Sequence, residues 1–199
     1  MTHRVLVCIL FVVLLFTASA CTQSESTNQL QKRTDSATLQ TEKEDLDQRL
    51  ENDQKSFLEF KEKLYSLSAT VTLSKEKDAF RIKYEILMDD VQSEFKNVIQ
   101  SFTLSPSMVN YVDTPDLINT NAHNEIVTDL KPNEYPVGLS LSRAYVLKPA
   151  NDWSVNNPSY LEDMYIKISY GPDDKRTEDY WHIRAVPSPE LTQYLSSKK

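Results

Sequence analysis

Between Leu67 and Met88 the apolar side chains fall on every second position. Leu67, Ala69, Val71 and Leu73 alternate with polar residues, and so do Phe80, Ile82, Tyr84, Ile86 and Met88. A strand sends successive side chains to opposite faces, so this pattern predicts a β-hairpin with one buried face. The polar stretch SKEKD supplies its turn. Arg81, Lys83, Glu85 and Leu87 occupy the other face of the second strand, which is expected to meet solvent. Such a sheet must bury its apolar face against another layer.

The chain beyond the hairpin continues in short runs of the same kind. Phe95 to Leu104 holds a bent strand, Met108 to Val112 reads as strand, and Ile126 to Leu130 as a short one. Residues 113–124 are loop-like, and Lys131 to Glu134 form a turn. Val137, Leu139 and Leu141 begin a strand that runs through Tyr145 to Leu147. Met164–Tyr170 pairs with Asp179–Val186 around a turn at Gly171 to Lys175. Ile166, Ile168 and Tyr170 share one face there, and Trp181, Ile183 and Ala185 share one face of the partner. Seven or so short strands predict a mostly β fold, a two-layer antiparallel β-sandwich over 67–187. In layout it resembles the immunoglobulin-like accessory domains of many Gram-positive lipoproteins. The alternative is an α+β fold, with a preceding helix packed on one antiparallel sheet. Residues 188–199 form a C-terminal tail in which 190–195 can make one or two helical turns.

That preceding helix is expected over 38–66. The stretch has no Pro or Gly and is rich in Glu, Lys, Gln and Leu. Leu39, Leu46, Phe60 and Leu67 share one heptad position, and Leu50, Phe57 and Leu64 the other, with Lys43 and Asp53 interrupting. An amphipathic helix of roughly 40 Å results. Its stripe needs cover, from a coiled coil formed by self-association through 39–67, from its own domain, or from a partner.

The first twenty residues run from a basic head (His3, Arg4) through an unbroken apolar run, Val5 to Phe16, to the small residues Thr17 to Ala20. This is the order of a signal peptide, and the run is short of the about 20 residues a membrane span needs. Ala18-Ser19-Ala20-Cys21 resembles the lipobox of bacterial lipoproteins, with Ala18 where that family carries Leu. The resemblance implies cleavage before Cys21 and acylation of its thiol. The chain would then sit lipid-anchored on the extracytoplasmic face of the cell membrane. Residues 21–37, polar after Cys21 and nearly free of large apolar groups, would form a flexible tether.

Loss of residues 1–20 takes away Arg4 and no carboxylate, so the formal charge moves from −7 to −8. An acidic chain is a poor partner for nucleic acid. Beyond Cys8 and Cys21 there is no cysteine, and the only glycines are Gly138 and Gly171. Disulfides, thiolate chemistry and Gly-rich phosphate loops are excluded on that count. No catalytic, cofactor or metal set is expected: His123 near Asp113 and Asp116 matches no metal spacing, and Asp89-Asp90 and Asp173-Asp174 read as turn residues. Two recognition surfaces suggest themselves. One is aromatic, Trp153 and Tyr160 in a polar loop, with Tyr135 beside a turn. The other is the row Tyr180, His182 and Arg184 on one strand face, with Lys167 across from it. The expected function is binding to another envelope protein as an accessory or assembly factor. The alternative is recognition of a cell-wall glycan or small solute by the loop aromatics, with catalysis least favoured.

Overall fold

The computed structural model describes residues 39–61, 64–77, 79–122, 128–149 and 158–197. The expected signal segment, Cys21 and the tether lie outside them, as do His123 and Trp153. The described chain opens with a helix, α1 (39–52), followed by a 3-10 turn at Gln54–Ser56. The strands are β1 (Leu58–Glu59), β2 (Ser66–Glu76), β3 (Ala79–Asp89), β4 (Ile99–Leu104), β5 (Asn119–Thr120), β6 (Leu139–Val146), β7 (Asp163–Tyr170), β8 (Thr177–Arg184) and β9 (Val186–Pro187). A last helix, α2, covers Pro189–Ser196.

The fold is mostly β: two sheets in contact, preceded by one helix. One sheet has the order β1-β8-β7-β4-β5 and the other β6-β3-β2-β9. The hairpin read from alternation is there in register, with Leu67 opposite Met88 and Val71 opposite Tyr84. Its strands run past the expected turn, through Lys75 and Glu76, and Lys77 takes a left-handed conformation at the bend. Leu67, Val71, Ile82, Tyr84, Ile86 and Met88 meet Phe102, Leu104, Met164, Ile166, Ile168 and Trp181 from the other sheet in one buried core. The second hairpin, β7–β8, also has the expected faces. Gly138 permits close approach of β6 to β3, because a Cβ there would lie 2.6 Å from the carbonyl oxygen of Met88.

Three expectations are corrected. The antiparallel pattern is broken at two edges, where β1 runs parallel to β8 and β9 parallel to β2. Buried Ala185 carries the chain from β8 across to the other sheet, so β9 arrives beside β2 running the same way. The 38–66 helix ends at residue 52. In a helix Phe57 and Phe60 would share a face. Here β1 runs along the sheet edge, so Phe57 packs with Tyr165 and Tyr180 outside the sheet, and Phe60 packs edge-on to Trp181 inside it. Residues 106–110 form a 3-10 turn, not a strand, because Pro106 starts a helical turn and has no N–H to give a ladder. The helical turns expected near 190–195 are α2, where Ser188 caps the helix, Leu191 is fully buried, and Tyr194 packs on Phe80 at 4.8 Å.

α1 lies across the outer face of the five-stranded sheet. Leu46 and Leu50 join Phe57, Ile118 and Tyr165 in a second buried cluster, distinct from the core between the sheets. Strand β7 is therefore buried on both faces. The α+β alternative expected a helix on one antiparallel sheet; the helix does lie on a sheet, but the fold has two.

Candidate binding site

The helical period puts Glu42, Leu46 and Leu50 on one side of α1, and that side meets the sheet. Glu42 is buried there and faces Lys167, whose side chain is 3% exposed. The Lys167 ammonium lies 3.1 Å from Glu42 Oε1, 3.0 Å from Asp45 Oδ2 and 2.9 Å from Glu178 Oε1. Ser101 donates to the other Glu42 oxygen at 3.0 Å. Burial alone would lower the Lys167 pKa, yet the carboxylates around it hold it above its ordinary value. A charge so deeply buried survives only when its partners and hydrogen bonds are complete. This cluster fastens α1 to the sheet.

The row of Tyr180, His182 and Arg184 lies on the outer face as expected, opposite Lys167, Tyr165 and Asp163. Its members have different surroundings. Tyr180 sits beneath α1, its hydroxyl 2.7 Å from Asp45 and 2.8 Å from Glu178, with the Arg49 guanidinium 3.7 Å over its ring. His182 is half-buried, stacked on Tyr165 and 3.0 Å from Asp163 Oδ1. Arg184 is exposed and paired with Glu162 at 2.6 Å. Tyr160 is not a member of this row; it stacks on Tyr111, ring centres 4.8 Å apart. Tyr135 is 95% exposed and stands beside exposed Val137.

A cleft of about 300 Å³ opens beside the C-terminal half of α1. Its lining includes Leu50, Leu104, Val109, Leu117 and Ile118, with Asp47, Glu51 and Asp116 at its edges. The opposing wall is held in place. Asp116 Oδ1 accepts from the Ile118 N–H at 3.1 Å, the Tyr145 hydroxyl donates to Leu117 O at 2.8 Å, and Arg143 donates to Ile118 O. Lys43 joins the two walls through a 2.9 Å contact with Asp116. A smaller hollow on the far side of that bridge is lined by Leu39, Lys43, Ile118 and Arg143.

Asp116 and Asp47, both lining the cleft, differ in their electrostatics. Burial tends to raise the Asp116 pKa, but Lys43, Arg143 and the Ile118 N–H bring it below its ordinary value. The Asp47 carboxyl is pushed up, by burial and by the charges of Glu51 and Asp116.

No family model, curated protein or solved structure matches this chain. Function is therefore read from the side chains themselves. Sequence patterning alone missed Glu42 and Asp45 as partners of Lys167. The available signal was a lysine between Ile166 and Ile168 in a strand whose neighbours are aromatic or small. Among the described residues, no group of three His, Cys, Asp or Glu is arranged to hold a metal.

Proposed function

We propose that this protein is a lipid-anchored extracytoplasmic binding module, held by acylated Cys21, that docks another envelope protein as an accessory or assembly factor. The domain would serve as an immunoglobulin-like sandwich scaffold carrying a fastened helix. The observation that carries the binding reading is the cleft beside α1: apolar floor, charged edges, and walls pinned before any partner arrives. A preformed concavity lowers the ordering cost of association. The clustered titratable groups, by contrast, are engaged in holding α1 to the sheet. The order of the first twenty-one residues supports the anchor.

The test is made in cells. Wild-type protein should take up a clickable palmitate analogue and sediment with membranes, and Cys21→Ser should do neither. Crosslinking on intact cells should join the wild-type chain to one reproducible envelope protein. A Cys21→Ser variant that is still acylated and membrane-bound would overturn the anchor. Failure to crosslink from any surface position would overturn the binding role.

A further inference from the structure

We infer that the cleft between α1 and the 106–118 segment receives a partner segment presenting a lysine or arginine beside an apolar side chain. This rests on the binding-module reading and names the chemistry of the partner. The floor offers apolar contact and no charge: Val109 is exposed, and the edges of Leu50 and Leu117 reach the surface beside it. The edge is asymmetric. On the loop side, Asp116 is already matched by Lys43 at 2.9 Å and Arg143 at 3.5 Å. On the helix side, Asp47 and Glu51 stand one turn apart and exposed; among the described residues neither makes a direct ion pair, and Lys43, committed to Asp116, acts on Asp47 only through its charge. Like charges at this spacing repel. A cation between them relieves the repulsion, while an anionic segment meets it in full.

The size of the cleft suits one or two side chains, not a folded element. A lysine or arginine stem can lie along Leu50 while its head reaches the two carboxylates, which is how long basic side chains bridge apolar and polar surface. The formal charge of −7 favours a cationic partner at long range and disfavours nucleic acid or anionic lipid as the occupant.

The probes are two capped hexapeptides, one alternating leucine and arginine, the other leucine and glutamate, titrated into the isotope-labelled full chain. The arginine peptide should move the amide resonances of Leu50, Glu51, Val109 and Ile118 with saturation. Asp47→Asn with Glu51→Gln should weaken that binding by about tenfold, and added salt should weaken it too. Equal binding of the glutamate peptide, shifts scattered over the surface, or an unaffected double variant would each overturn the assignment. So would concentration-dependent shifts at these residues without peptide, which would make a second copy the occupant. A photoreactive residue at position 109, compared with one at position 175, separates the two readings. A crosslinked partner from 175 and none from 109 defeats this cleft while leaving the binding module intact. A partner from 109 that the double variant loses supports the cleft.

Discussion

The Nζ of Lys167 lies 3.1 Å from Oε1 of Glu42, across 125 residues of chain. One belongs to the central strand of the larger sheet and the other to the helix outside it. Both are buried, and two partly exposed carboxylates, Asp45 and Glu178, complete a cluster of one cation and three carboxylates. Lys167→Ala leaves those carboxylates facing one another with no counter-charge. It should lose about 3–5 kcal/mol, the usual cost of breaking a buried pair from one side. Thermal unfolding measures the loss, and amide exchange should show α1 opening first. Replacing the pair with apolar residues, Glu42→Leu with Lys167→Met, should recover part of that stability.

The same cluster sets an acid limit. Burial tends to raise the Asp45 pKa, but hydrogen bonds from Tyr180 and Lys167 and the charges of Lys167 and Arg49 bring it below its ordinary 3.8. Such a carboxyl stabilises the fold fully above its unfolded pKa and loses that contribution as pH falls through the folded one. Urea midpoints of the wild type should therefore fall below about pH 4. Asp45→Asn should start lower at pH 5 and fall less steeply. Asp47 carries the opposite sign. Its folded pKa is raised, so its charge opposes folding at neutral pH. Asp47→Asn should raise the urea midpoint at pH 7 only slightly, because solvent screens an exposed carboxylate, and the gain should vanish in acid.

How far the sequence could be read follows from which interactions are periodic. Alternation at 67–73, 80–88 and 179–185 reports a half-buried strand directly, and those strands are in place; 164–170 is in place too, but α1 buries its second face. The end of α1 was not readable, because Leu46, Leu50, Phe57 and Phe60 fit one heptad stripe whether the chain stays helical or turns along the sheet edge. What decides is Phe60 reaching Trp181 on the opposite face from Phe57, a contact over more than a hundred residues. Tyr180 likewise belongs to a row that looks uniform in sequence. Its cover comes from Asp45 and Arg49, distant in the chain. The cleft was unreadable for the same reason: its floor combines α1, the end of β4 and the 115–118 loop.

Gly138 is held to glycine by proximity, not by its backbone angles. A methyl group there would meet the Met88 carbonyl oxygen at 2.6 Å and the Asp89 Cβ at 3.0 Å, both on the neighbouring strand. Relief requires β6 to move away from β3, opening a ladder that pairs Met88 with Leu139 and Ile86 with Leu141. Gly138→Ala should cost about 1–3 kcal/mol by overpacking. Faster amide exchange near the Leu139 end of the ladder than near Val146 would confirm that the strain enters there. Uniform exchange would place it elsewhere.

Trp181 and Tyr65 are coupled through one proton donor. The indole Nε1–H donates to the Tyr65 hydroxyl at 2.8 Å, and that hydroxyl donates to Asp179 at 2.9 Å. Both rings are buried, and Tyr65 also packs edge-on against Phe95. Tyr65→Phe keeps the ring contacts and removes the acceptor, so the buried indole N–H is left unsatisfied at about 1–3 kcal/mol. Trp181→Phe removes the donor and leaves a smaller ring in the indole's place. If the hydrogen bond is the coupling, the double variant should lose less stability than the two single losses added together, since no orphaned donor remains. Urea unfolding of the four proteins closes the cycle. Strict additivity would mean that Tyr65 contributes through packing alone and that the indole finds another acceptor when the hydroxyl is gone.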